Sequence, residues 1–352
     1  MVKPARPDLV VPPKLAPGDR VAIVSPSWAG PGVFPAVHDL GLQRLREIYS
    51  HEPFDVPTTR KVGATAQERA ADVMSAFTDP EIKAVMASIG GDDQITVLKH
   101  LDPAVLRANP KPYFGYSDNT NLLMYIWNLG IVGYHGGSTM VHLGRPGAMH
   151  PVTEQSLRTA LFESGEVVLA PSPDFTDEHG DWADVASLDR EPNMRPGTPW
   201  RWGGHAVSVT GPTWGGCLEI VDWHLRAGRW LLAPEAYAGC VLMLETSEEM
   251  PSPIFVHRAL AGMGERGLLE QFSAVVWGRP KAWDSINRQT PEERDAFTEE
   301  QFNTVDRVLD IYHPGVPRVF GLDIGHTDPQ LIIPYGGQIT VDRIREQVQV
   351  TY

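Results

Sequence analysis

Apolar positions along this chain fall into short runs that end in small or polar residues, with helical periodicity between them. Val21 to Val24 follows a Pro17-Gly18-Asp19 turn and reads as a buried strand ending in Ser25-Pro26-Ser27. Val37, Leu40, Leu45 and Ile48 then share one helical face, with Arg44, Arg46 and Glu47 outside it. Thr65 to Glu68 forms a capping box ahead of Val73, Met74 and Phe77, and Ala84 to Ile89 predicts a strand closed by Gly90-Gly91-Asp92-Asp93. Tyr113-Phe114 predicts another strand, Gly115 relieves the turn, and Asp118, Asn119 and Thr120 are residue types that cap a helix. Leu122, Leu123, Met124, Ile126, Trp127 and Leu129 continue that helix, and Ile131 to His135 is a further strand, ending in Gly136-Gly137-Ser138. From about residue 20 to 165 strands ending in glycine turns therefore alternate with helices, which predicts an α/β domain with a mostly parallel sheet. Ligands of such sheets bind beyond the carboxyl ends of the strands.

From about Pro171 to Gly204 the pattern breaks into Asp, Glu, Pro, Arg and Trp, which predicts a linker or long loop carrying Trp182. A second α/β segment follows. Gly215-Gly216-Cys217-Leu218 opens a helix-like stretch, Cys240 to Leu244 is a buried strand ending at Glu245, and Ala274 to Trp277 is another. Thr290-Pro291-Glu292-Glu293 starts a helix with Phe302, Val305 and Leu309 inward and a solvated acidic face. Val319 to Leu322 leads into Gly325-His326-Thr327, and Pro334 to Ile339 reads as a hairpin. Two domains are expected: residues 1–165, a linker and substrate loop over 166–206, and residues 207–352.

Composition narrows the function. A net charge of -14 and a pI near 5.3 argue against polymeric nucleic acid as partner, since backbone binding needs clustered Lys and Arg. Cys217 and Cys240 are the only cysteines, which rules out a disulfide framework or paired-Cys zinc site and leaves one bridge between them open. The twelve His show no metal-binding spacing, and neither a dinucleotide fingerprint nor a phosphate loop occurs, so no metal and no cofactor is expected. The Pro-rich start lacks a signal-peptide core and no run approaches the roughly 20 apolar residues of a membrane span, which points to the cytoplasm and no membrane partner.

The candidate chemistry gathers at strand ends. Ser117 sits at the corner between strand and helix, where its hydroxyl is exposed and free amides of the helix start can hold an oxyanion. The match to a G-x-S-x-G elbow is partial, because Asn119 stands at the second Gly. Gly90 and Gly91 would let a ligand approach the backbone closely. A serine hydroxyl needs a base oriented by a third group; His326 lies in a turn just after a strand, well placed to aim at a cleft, and Glu245 ends a buried strand. Each residue alone has a plainer reading: Ser117 a helix cap, the glycine pair a turn, His326 a polar loop residue, Glu245 a solvated strand end, Trp182 a pin for its loop.

The ordered set of words resembles the LD-carboxypeptidase family of serine peptidases: Pro17-Gly18-Asp19 with Val21 to Ser27, Gly90-Gly91-Asp92-Asp93, Gly115-Tyr116-Ser117-Asp118, Gly215-Gly216, Leu244-Glu245 and Gly325-His326-Thr327. Within it, the acidic Trp182 loop looks closer to the microcin-C immunity peptidases than to the murein tetrapeptidases. The resemblance implies Ser117 as nucleophile, His326 as general acid and base, and Glu245 orienting His326, with an oxyanion hole from the amides of Gly91 and Asp118. It implies a site between the two domains, a homodimer, and Trp182 stacking on the base of an aminoacyl nucleotide, with Gly90 and Cys217 beside the substrate. Two departures stand out: Cys217 replaces the usual Asn, and Glu248 and Glu249 stand where immunity peptidases carry basic residues. The expected function is hydrolysis of the amide of a peptidyl or aminoacyl nucleotide. The alternatives are murein LD-carboxypeptidase activity on a muropeptide, a non-catalytic small-ligand-binding protein, and a Cys217 nucleophile.

Overall fold

The computed structural model describes residues 6–352. Two sheets organise it. The first has six strands in the order Ile333–Tyr335, Gly133–His135, Tyr113–Gly115, Ile82–Ala87, Arg20–Val24 and Glu52–Asp55. All pair in parallel except Ile333–Tyr335, which runs antiparallel to Gly133–His135. The second has eight strands, with Ser208–Cys217, Val241–Glu245, Ala274–Gly278 and Arg318–Leu322 parallel at its centre. Antiparallel strands extend both sides: Gln338–Asp342, Gln347–Thr351 and Glu166–Leu169 on one, Arg201–Gly203 on the other.

Between the sheets lies the helix Thr120–Asn128, buried from Thr120 through Trp127. An apolar helix without a polar face must be covered on every side. Its Trp127 stacks on Tyr237 at 5.6 Å, and Tyr237 continues through Trp214 (4.6 Å) to Phe272, so the aromatic column joins it to the second sheet. Its polar residues find partners there too. The Cys217 amide donates to Thr120 Oγ1 at 3.1 Å, and Asn121 Oδ1 lies 2.8 Å from His224 Nε2.

Both predicted capping boxes form, with Thr65 and Glu68, and Thr290 and Glu293, exchanging bonds at the starts of Ala66–Thr78 and Pro291–Tyr312. Three expectations are corrected. The hairpin over Pro334 to Ile339 does not form: Ile333–Tyr335 joins the first sheet and Gln338–Asp342 the second, so the segment ties the sheets together. The stretch around Gly215 is the end of a ten-residue strand, hidden in the sequence by Gly211, Pro212, Gly215 and Gly216, and its helix starts at Leu218. Arg44 is buried rather than outward, its guanidinium donating to the carbonyls of Leu143, Arg145 and Gly147. The acidic helix face is exposed as expected, with Asp295 and Glu299 also reaching Arg195 and Arg201 at the surface. Cys217 and Cys240 are both free and buried.

Arg44 holds three carbonyls of the segment that reaches Arg145 at the cleft, and an apolar replacement would leave them without that donor. Arg44→Leu is expected to lower unfolding stability by about 3 kcal/mol, read as a fall in the urea midpoint with unchanged slope. A midpoint within error of wild type would show that these bonds contribute little.

Candidate active site

Ser117 follows the strand Tyr113–Gly115 and opens a short 3-10 turn, Ser117–Asn119, ahead of the buried helix. Its φ is +60°, in the left-handed region where a non-glycine residue is strained. That geometry marks a strand-to-helix elbow, which turns the hydroxyl out of the fold. Asn119, at the place of the missing glycine, has a job of its own. Its Oδ1 accepts from Tyr113 (2.7 Å) and from Gln94 (2.8 Å), and its Nδ2 donates to the Ile89 carbonyl at 3.0 Å. The cap expected from Asp118, Asn119 and Thr120 is therefore replaced by bonds to neighbouring strand ends.

Asp118 shows the same pattern. Its buried carboxylate accepts from Ser27 Oγ, from the amides of Asp93 (3.1 Å) and Gln94 (2.9 Å), and from Asn121 Nδ2 at 2.7 Å. Burial pushes its pKa up to about 6, against the pull of these donors. The carboxylate thereby pins the Gly90-Gly91 loop beside the serine. A Cβ added to Gly90 would lie 2.9 Å from both Cβ and Oγ of Ser117 and 3.5 Å from the Asp118 amide nitrogen. Only glycine leaves room there.

Glu245 ends the strand Val241–Glu245 and is fully buried, with Oε2 2.7 Å from His326 Nδ1. Gly278 makes space for it, since a Cβ there would meet Glu245 Cβ at 2.7 Å. The loop carrying His326 is clamped across the two sheets: His135 Nε2 lies 2.8 Å from the Ile324 carbonyl, and Gln330 donates to the carbonyls of Ile324 and Gly325. The Tyr116 ring packs 4.9 Å from the imidazole, which sets the elbow against His326. The second ring nitrogen of His326 faces a different residue, Glu248, at 3.2 Å.

These groups open on one cleft of about 700 Å³. Gly90, Gly91, Ser117, Trp182 and His326 all line it. Cys217 does not: it is 1% exposed, its thiol donates to Glu219 at 3.3 Å, and burial with that carboxylate pushes its pKa well up, the opposite of an activated thiol. Trp182 packs edge-on to Phe34 at 5.8 Å, and Phe34 to Trp28 at 6.0 Å, so the indole belongs to an aromatic wall. Trp283 adds a further aromatic surface. Of the two acidic departures, only Glu248 lines the cleft, and Lys281 and Arg145 also line it. Arg145 pairs with Asp328 and Glu191. Lys281 donates to the Asp177 carbonyl at 2.8 Å; burial lowers its pKa, partly offset by Glu248 and Asp177. The sequence reading missed Trp28, Phe34, Lys281 and Trp283. Trp28 follows the end of the first strand, where such sheets bind ligands, and that position was the available signal.

Residues 21–136 match the LD-carboxypeptidase N-terminal domain and residues 210–341 the LD-carboxypeptidase C-terminal domain. The chain belongs to the LD-carboxypeptidase family of serine peptidases, S66. It is 24% identical over 290 residues to the microcin C7 self-immunity protein MccF of Escherichia coli, covering 82% of this chain and 79% of that one. It is 25% identical over 337 residues to a Bacillus subtilis protein named as a probable murein peptide carboxypeptidase, covering 94% and 91%. The fold matches that of MccF in complex with glutamyl sulfamoyl guanosine, with a TM-score of 0.82 at 23% identity over 97% and 98% of the two chains. An MccF-like protein from Streptococcus pneumoniae in complex with AMP gives a TM-score of 0.83 at 25% identity over 95% and 99%. Among the described residues no helix is long and apolar enough to cross a membrane, and no group of three or more His, Cys, Asp or Glu could hold a metal ion.

The charge on His326 links the site to stability. Burial pulls the imidazole pKa down, but Glu245 and Glu248 push it up by more, to about 9. A pKa raised above its unfolded value of about 6.5 contributes stability that is fully present below about pH 6.5 and lost as pH rises through about 9. The stability advantage of wild type over His326→Gln should therefore shrink between about pH 6 and pH 10, measured by urea midpoints at each pH. An advantage that grows over that range would show that the folded imidazole is neutral.

Proposed function

We propose that the chain is a serine amidase with a Ser117, His326 and Glu245 triad that hydrolyses the amide of an aminoacyl or peptidyl nucleotide. The observation that carries the reading is the meeting of a strained Ser117 elbow and a carboxylate-oriented His326 on one aromatic-walled cleft. In this mechanism neutral His326 takes the Ser117 proton through Nε2 as Oγ attacks the carbonyl, and Glu245 stabilises the imidazolium through Nδ1. The amides of Gly91 and Asp118 hold the oxyanion, the imidazolium then protonates the leaving nitrogen, and water releases the acyl group by the same steps in reverse order.

The substrate class is supported by the aromatic wall of Trp28, Phe34 and Trp182, since flat bases stack on aromatic side chains without needing a particular sequence. Lys281 and Arg145 supply positive charge for a phosphate or sulfamoyl linker. The sulfamoyl guanosine complex of MccF and the AMP complex of the streptococcal protein point the same way. A second reading, release of a terminal D-amino acid from a muropeptide, draws on the Bacillus relative and on the mixed charges of the cleft, which suit a zwitterionic end.

Ser117→Ala is expected to fold normally and to lose several powers of ten in turnover, with no labelling by a serine-directed phosphonate. Turnover retained by a folded Ser117→Ala protein would end the mechanism, and an unlabelled wild type would favour a binding protein. Trp182→Ala is expected to raise KM for an aminoacyl sulfamoyl adenosine by roughly one to two powers of ten, with a smaller effect on kcat. On a murein tetrapeptide the same change should leave KM unaltered. Equal effects on the two substrates, or tetrapeptide cleavage alone, would transfer the chain to the murein reading.

A further inference from the structure

We propose that Glu248 is a specificity residue that reads a cationic group beside the scissile carbonyl and rests on the working face of His326 until that group arrives. The inference builds on the triad reading above. With Nδ1 committed to Glu245, only Nε2 can take the Ser117 proton. That nitrogen faces Glu248 Oε2 at 3.2 Å as an ion pair, and among the described residues it makes no hydrogen bond, to Glu248 or to Ser117. Two carboxylates on one imidazole favour the imidazolium, which has no lone pair to accept a proton. The contact must therefore yield before attack.

Glu248 is built to yield. It lies on the turn after Val241–Glu245, its side chain 57% exposed, while the turn itself is held by the Ser247 amide (2.9 Å) and hydroxyl (2.6 Å) on Glu219 Oε1. The anchor is rigid and the carboxylate is free to change partner. The other groups around the imidazole do not displace it: Tyr116 from the elbow, His135 and His142 from the first sheet, and Glu219 from the helix Leu218–Ala227. Burial holds both of these histidines toward the neutral form. Facing Glu248 from outside are Lys281, already donating to Asp177, and His179, whose pKa burial lowers to about 4.

A substrate α-ammonium is one carbon from the carbonyl that Ser117 attacks, so it arrives next to Nε2. Pairing with Glu248 neutralises the carboxylate, lowers the proton affinity of the imidazole and frees Nε2 to act as base. An acylated nitrogen carries no charge and leaves Glu248 in place. The cleft is thereby selective for free aminoacyl compounds over their N-acylated forms.

The test uses wild type and Glu248→Gln in the full chain, with two readouts. The first is the pH dependence of Ser117 labelling by a fluorophosphonate, followed by mass spectrometry. The acid limb should move down by about one pH unit in the variant, so that labelling on the acid side of both limbs becomes about tenfold faster. The second is hydrolysis of an aminoacyl sulfamoyl adenosine and its N-acetyl derivative. Wild type should prefer the free amine by about tenfold or more in kcat/KM, and Glu248→Gln should lose that preference through KM. An unshifted acid limb, or an amine preference kept by the variant, overturns the role of Glu248. If neither nucleotide is hydrolysed while the limb shifts as expected, the nucleotide reading falls and the contact of Glu248 with the base stands.

Discussion

The helix after Ser117 is the part on which the rest of the molecule depends. Its residues from Thr120 to Trp127 have no solvent face, so their polar groups must be satisfied by protein and their apolar groups covered from both sides. The first sheet supplies one cover, and the strand Ser208–Cys217 with the helix Leu218–Ala227 supplies much of the other. Because Thr120 and Asn121 bond to Cys217 and His224, this helix registers the two halves of the chain, alongside the direct pairing of Ile333–Tyr335 with Gly133–His135. The strained elbow is held by this burial, since relaxing Ser117 would move a helix that has nowhere to go.

A second consequence is electrostatic. Bringing strand ends together beneath the cleft concentrates carboxylates: Asp118 under the elbow, Glu219 and Glu245 behind it, Glu248 on its wall. Each is compensated differently. Asp118 takes two backbone amides and two side-chain donors, Glu219 takes the Ser247 turn, and Glu245 takes the imidazole. Glu248 alone projects into open space toward groups that it shares with the cleft, which is why its partner can depend on what is bound. The segment before the second sheet is fastened by charge as well: Arg294 pairs with Asp177 and Glu178, and Arg145 with Glu191, so the aromatic wall is carried on a braced loop.

How much was legible in the sequence follows from the range of the interactions involved. The capping boxes at Thr65 and Thr290, the strand-turn-helix unit around Ser117, the strand end at Glu245 and the turn after Arg318–Leu322 that carries His326 are local patterns, written within a few residues, and the structure forms them. Their order along the chain was also enough to indicate the family. Arg44 was misread because helical periodicity separates apolar from polar faces and has no term for a guanidinium that buries itself on three distant carbonyls. The strand Ser208–Cys217 was missed because glycine and proline signal turns locally, while pairing with two neighbours, parallel to Val241–Glu245 and antiparallel to Gln338–Asp342, outweighs that preference.

By itself the sequence determined the two α/β segments, the elbow, and the identity of the residues that end the central strands, because each depends on side-chain type and short spacing. Only the tertiary structure decided which of those strand ends meet. It put His326 against Glu245 across 81 positions of chain, turned Cys217 inward to Glu219, and brought Lys281 and Glu248 to the cleft with Ser117. It also split the supposed hairpin at Pro334 between two sheets. The physical reason is the same in each case: burial and pairing between segments far apart in the chain set these contacts, and no pattern of neighbouring residues records them.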